Sequence, residues 1–194
     1  MELGLTYLAS AVRGSFYYLY MVEDIYSRKI VCWEVRERES AEHASELIRK
    51  GRLAEGIRRE GLILHSDNGS PMRGATMLAT LQKLGVIPSF SRPSVSDDNP
   101  YSESLFRTLK YCPAYPGKPF ESIEQARQWI HRFVQWYNLE HRHSAIRYVT
   151  PDQRHRGETE ARTRPCWKKG KDFTRSPRQG THIAGRAKPE TGTR

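Results

Sequence analysis

The chain is short of cysteine and has no long apolar run, and each lack closes off a class of protein. Its three cysteines, Cys32, Cys112 and Cys166, are scattered over 194 residues and form no C-x-x-C pair. A disulfide scaffold or a cysteine-based zinc site would need such pairing. The thiols therefore read as free in a reducing cytoplasm, with Cys32 a core residue of an apolar, strand-like run. No segment approaches the roughly 18 apolar residues of a membrane span, and no signal-peptide apolar region opens the sequence. No membrane partner is expected. Hydrophobic residues are lean at 37%, enough for one core of ordinary domain size.

Positive charge is what the chain has in excess. The net charge is +10 and the isoelectric point about 9.7, which favours a polyanionic partner, nucleic acid first. The excess is uneven. Residues 158–194 hold ten Lys/Arg against four Asp/Glu, so +6 of the +10 sits there and +4 on the first 157 residues. The tail has few apolar residues and no sustained period, so it is expected to be disordered. The boundary falls near Gly157.

Before that boundary the pattern is mixed α/β. Leu5 to Ala9, Phe16 to Val22 and Lys29 to Val35 read as strands joined by turn signals. Ser40 can cap a helix reaching Lys50. Leu62 to His65 is a short strand running into the loop Ser66-Asp67-Asn68-Gly69. A helix from Pro71 to Leu84 should stop at Gly85, followed by a fifth strand, Val86 to Phe90. Asn99 and Pro100 open a helix through Lys110. Ile123, Ala126, Ile130, Phe133, Val134 and Tyr137 recur at three- and four-residue steps, one core-facing stripe of a final helix from Ser122 to Asn138.

Two acidic residues stand out, with 35 residues between them. Asp67 follows a predicted strand end, where sites of α/β sheets collect, and Glu103 lies early in a predicted helix. Two carboxylates brought together repel unless a divalent cation is shared, and oxygen ligands suit Mg²⁺ or Mn²⁺. Taken singly, each has a plainer reading: Asp67 closing an Asx turn before Gly69, Glu103 a solvated first-turn carboxylate.

The surrounding words favour the first reading. His65-Ser66-Asp67-Asn68-Gly69, then Ser91-Arg92-Pro93, then Asp98-Asn99-Pro100-Tyr101-Ser102-Glu103-Ser104-Leu105-Phe106-Arg107-Thr108-Leu109-Lys110 closely resemble the catalytic core of DDE transposases. The similar branch is that of bacterial insertion sequences whose transposase is assembled by frameshifting, a retroviral-integrase-like class. Asp24-Ile25-Tyr26-Ser27-Arg28-Lys29-Ile30-Val31, Trp136-Tyr137-Asn138, Arg142-His143-Ser144 and Thr150-Pro151 also match. The resemblance covers about residues 5–157.

It implies an RNase H-like fold, a five-stranded mixed sheet with helices on both faces, and metal-dependent cleavage and transfer of DNA strands. Asp67 would be the second metal-binding carboxylate and Glu103 the third, for a pair of Mg²⁺ or Mn²⁺ ions. Lys110, seven residues after Glu103, matches a basic family position that contacts DNA phosphate, and Arg107 is similar. Two turns of helix separate Glu103 from Lys110, so both can face DNA. DNA and another copy, or an intact transposase, are the implied partners. His65 reads as a hydrogen-bonded supporting residue, Asp24 as a turn cap, and Trp129, Trp136 and Tyr137 as packing. A zinc site at His141 and His143 lacks partner cysteines.

The chain departs from the family at its first carboxylate. Where the family reads Trp-Asp-Ile-Thr-Tyr-Leu, this sequence reads Leu3-Gly4-Leu5-Thr6-Tyr7-Leu8, with Gly4 at the aspartate position. The helix-turn-helix region that precedes the family core is not in the sequence, so the chain reads as an N-terminally truncated core, 1–157, with a tail, 158–194. Codons for Met1 to Leu5 can be written ATG GAG CTG GGA CTT, which one nucleotide later read Trp-Ser-Trp-Asp. Shifted codons of the tail likewise resemble the family's C-terminal end. The expectation is a decayed, inactive copy with an out-of-frame tail. Two alternatives stand beside it: an active enzyme whose missing aspartate comes from Asp24 or is an assembly error, and a non-catalytic DNA-binding or oligomerising fragment that interferes with intact transposase.

Overall fold

The computed structural model describes residues 1–56, 61–92 and 98–158. The expected disordered tail therefore lies, except for Glu158, outside the described residues, as does Pro93.

Three antiparallel strands come first: β1 (Glu2–Ala9), β2 (Phe16–Glu23) and β3 (Ile30–Arg36). Gly14, at φ +79°, supplies the left-handed residue of the first turn. Asp24 closes the second, its carboxylate accepting from the Ser27 amide and hydroxyl at 3.2 and 2.6 Å. Helix α1 (Ala41–Ala54) follows, capped by the Ser40 hydroxyl on the His43 amide.

β4 (Leu62–Ser66) and β5 (Val86–Phe90) then join the other edge of β1 in parallel, giving the order β3-β2-β1-β4-β5. Between them the single helix expected over 71–84 is two, α2 (Ser70–Arg73) and α3 (Ala75–Lys83). The break is at Gly74, whose extended backbone passes so close to α1 that a Cβ would stand 2.8 Å from Ala41 Cβ.

α4 (Pro100–Tyr111), α5 (Ile123–Leu139) and the short α6 (Pro151–His155) complete the fold. α6 was not foreseen, although Thr150 and Gln153 form a capping box at its start.

The sheet is buried on both faces. Leu3, Tyr20, Val22 and Leu64 pack with α1–α3, while Leu8, Leu19, Met21 and Val35 pack with α4 and α5. The predicted stripe of α5 forms much of the second core: Ala126, Ile130, Phe133, Val134 and Tyr137 are all buried. This is the RNase H-like α/β arrangement that the sequence implied. Among the described residues no helix is long and apolar enough to cross a membrane.

Asn138 joins the end of α5 to the start of β3. Its amide oxygen accepts from Ile30 N at 2.9 Å and its amide nitrogen donates to Ile30 O at 3.0 Å. Asn138→Ala leaves both partly buried backbone groups short of a partner and should cost about 2–3 kcal/mol. The check is a lower urea midpoint with an unchanged slope.

Candidate active site

The site is assembled where β4 ends. In the parallel ladder Glu2 pairs with His65 and Leu3 with Ser66, so the next residues, Gly4 and Asp67, are level with one another. Gly4 lies under α4. A Cβ there would stand 2.7 Å from Ser102 Cβ and 2.8 Å from the Phe106 ring, the residues just before Glu103 and one turn after it. Gly4 thus links the Asp67 strand end to the Glu103 turn of α4.

A polar hub on Ser91 ties the same elements together. Its amide and hydroxyl both donate to Ser66 O, at 3.1 and 3.3 Å. Asn68, on the far side of Asp67, donates to Ser91 O. Asn99, at the start of α4, donates to the Ser91 hydroxyl at 2.6 Å. Both flanks of Asp67 and the amino end of α4 are therefore held by one residue. Arg92 adds a forked pair with Asp98 at 2.9 and 3.1 Å, which holds the Asp98 carboxyl down at about 2. His65 supports the strand end, its ring nitrogens lying 3.0 Å from Ser89 Oγ and 3.0 Å from Asp98 O.

Asp67 is exposed, and its Oδ1 accepts from Gly69 N at 3.0 Å. The Asx turn named as its plainer role is thus present, and it leaves the carboxylate at the surface. On α4, Ser102, Leu105 and Leu109 are buried, whereas Glu103, Arg107 and Lys110 are exposed. Steps of four and seven put these three on one solvent-facing stripe.

Other candidates have structural partners. Asp24 follows Glu23, the cross-strand partner of Glu2, so it lies about 10 Å along the sheet from Gly4. Its carboxylate is engaged by Ser27 and lies 3.4 Å from His155 Nδ1. These bonds lower its pKa against the opposing effect of burial. Trp129 and Tyr137 are buried, and Trp129 donates to Ala114 O at 3.0 Å. His141 stacks on Tyr137, and His143 accepts from Ala145 N at 3.2 Å. Burial lowers the basicity of both histidines.

Position 4 offers a two-metal site no carboxylate. Among the described residues no group of three His, Cys, Asp or Glu is placed to hold a metal ion. Beside Asp67, where a further carboxylate would have to enter, Ser102 and Phe106 already stand against Gly4.

Sequence profiles of the Integrase core domain match residues 2–96 and 84–151, together spanning β1 to the start of α6. The transposase for insertion sequence element IS904 of Lactococcus lactis is 31% identical over 135 residues, 69% of this chain and 53% of that protein. The chain belongs to the integrase core family. A putative transposase for insertion sequence element IS986/IS6110 of Mycobacterium tuberculosis is 30% identical over 138 residues, 69% of this chain and 49% of its own. This integrase core chain spans about half the length of the curated relatives it matches. The same fold appears in the catalytic core domain of BIV integrase, with a TM-score of 0.56 at 18% identity, covering 82% of this chain and 96% of that one. The simian T-cell lymphotropic virus intasome contains a chain with a TM-score of 0.64 at 16% identity, covering 100% of this chain and 59% of that one.

The Ser91 hub and the break at Gly74 escaped the sequence reading. Ser91 stood inside a quoted motif, yet nothing in a lone serine signals four hydrogen bonds. Only the strand order that sets it between Ser66 and Asn99 reveals them.

Proposed function

We propose that this integrase core is a DNA-binding relative of the metal-dependent strand transferases that retains Asp67 and Glu103 but lacks strand-transfer activity. The observation that carries the proposal is Gly4, level with Asp67 and pressed against the Glu103 turn, where the family resemblance expects a carboxylate. Mg²⁺ or Mn²⁺ would find Asp67 and Glu103 as oxygen donors and nothing from position 4. The absent carboxylate is thus the reason for inactivity, and the retained fold is the reason the DNA-facing stripe of α4 survives.

DNA contact falls to Arg107 and Lys110, on the exposed stripe with Glu103. Cations of this kind meet phosphate, position the duplex and carry no sequence information. Binding of labelled duplex, followed by fluorescence anisotropy, should be weak and indifferent to sequence. It should fall steeply with salt as counterions are released. Arg107→Ala with Lys110→Ala should lower the magnitude of the logarithmic salt slope by up to about 1.8, or about 0.9 for each phosphate that is no longer neutralised. A sequence-selective, salt-insensitive complex overturns this assignment.

A folded core that engages DNA without cutting it would also compete with an intact transposase for sites or for subunits. Excess of this chain should then suppress transposition by a complete relative, and the α4 double variant should suppress it less.

A further inference from the structure

The face of the sheet under α4 and α5 holds two buried carboxyl groups that the site does not use. Glu2 and Glu23 are direct cross-strand partners on β1 and β2 and are only 1% and 2% exposed. Cβ atoms of such a pair stand about 4.5–5.5 Å apart. Glu2 Oε1 accepts from Ser102 N at 2.7 Å, an amino-terminal amide of α4. The helix needs this bond, because the side chain of its own cap residue, Asn99, makes no capping hydrogen bond and donates to Ser91 instead. The remaining oxygens, Glu2 Oε2 and Glu23 Oε2, are buried and have no hydrogen-bond partner.

We propose that Glu2 caps α4 from the strand below and thereby positions Glu103, and that Glu23 beside it stays protonated, so that the buried pair carries a single negative charge. A proton on the buried, unpartnered Glu23 Oε2 removes one of the two charges. Two buried carboxylates without it would repel across the pair, with little charge nearby to offset them.

The surroundings limit the compensation. The Arg28 guanidinium is 3.8 Å from Glu23 Oε1 and lies over the Tyr101 ring at 4.0 Å. The Met1 ammonium, near Glu2 and Asp24, donates to Ile63 O. His65, the β4 neighbour of Glu2, is engaged by Ser89 and Asp98. Asp24 adds negative charge, and the Tyr137 phenol on α5 is held neutral by burial. His143, whose basicity burial and Arg28 lower, adds little positive charge. Arg28 is the cation against Glu23, the Met1 ammonium near Glu2 is engaged by Ile63 O, and burial pushes Glu23 up to about 8. Glu2 is then a positioning residue: Ser102, whose amide it holds, is the residue before Glu103.

The inference rests on Glu103 being a site residue, but its test does not. In the full chain, carbon NMR of labelled glutamate side chains gives the titration of Glu23, and amide exchange gives the protection of Ser102 against pH. Glu23 should titrate well above the ordinary carboxylate range. Across the same interval Ser102 protection should fall by about tenfold or more beyond the intrinsic rate increase. Glu23→Gln, whose amide can donate to Glu2, should keep Ser102 protected throughout. Glu2→Gln should keep the cap while returning Glu23 toward its usual range, and Glu2→Ala should lose Ser102 protection first. An ordinary Glu23 titration, or Ser102 protection without an inflection, overturns the protonated Glu23. Uniform loss of protection in Glu2→Ala overturns the positioning role. DNA binding that fails while these titrations hold would instead remove only the functional reading above.

Discussion

With Mg²⁺ or Mn²⁺, the chain as written is expected to leave a pre-nicked element-end oligonucleotide uncut, and Gly4→Asp is expected to be necessary for any recovered cleavage. Each 1.36 kcal/mol of transition-state stabilisation is about tenfold in rate. Losing a few kcal/mol of metal-centred stabilisation is therefore enough to bring turnover to background. The structure adds a steric cost, since a Cβ at position 4 would stand 2.7 Å from Ser102 Cβ and 2.8 Å from the Phe106 ring. The ring can swing, but Ser102 Cβ moves only with the backbone of α4. Gly4→Ala isolates that cost, about 1–3 kcal/mol of overpacking. Gly4→Asp should lose a similar amount without metal and regain part of it in Mn²⁺, because an ion bound only by the folded state raises the melting temperature. The parent and Gly4→Ala should show no comparable rise. Cleavage by the unmodified chain that Glu103→Gln abolishes would show the metal site to be complete without position 4. Asp24, held by Ser27 and lying close to His155, would be a poor candidate for the missing ligand.

Much of this arrangement was written in local pattern. The α5 stripe announces its buried face because six apolar residues recur on one side. Asp67 and Glu103 were found through the words around them, and the strand-end loop and first-turn position follow from those words. What stayed hidden depends on neighbours remote in sequence. β1 begins at Glu2 and not Leu5, because an acidic residue interrupts the apolar pattern while its side chain caps a helix 100 residues away. Nothing in the sequence singles out Glu23, whose cross-strand partner Glu2 and burial come only from the fold. Gly74 looks harmless inside a helical pattern, and only the nearness of Ala41 explains the break. Gly4 was legible as a departure from the family, whereas the packing that fills its place was not.

The pH dependence of stability should carry the mark of Glu23. Burial raises its carboxyl from 4.5 to about 8, with Arg28 opposing and Glu2 adding to the rise. At 3.8 Å, with the guanidinium also lying over Tyr101, Arg28 is too loosely held to reverse the cost of burial. The sign follows from proton counting. Between pH 4.5 and 8 the folded chain keeps the Glu23 proton and the unfolded chain has released it, so stability falls as pH rises through that window and levels off above it. A fully expressed shift would be worth several kcal/mol, and about 2–4 kcal/mol is a reasonable expectation after relaxation of the site. Other groups titrate over the same range, so the informative quantity is the difference between parent and Glu23→Gln at each pH. That difference should be small near pH 5 and grow in favour of Glu23→Gln toward about pH 8.5, as read by urea midpoints at constant ionic strength. A difference that is flat with pH would show Glu23 to be ionised throughout, with Arg28 or entering water supplying the compensation.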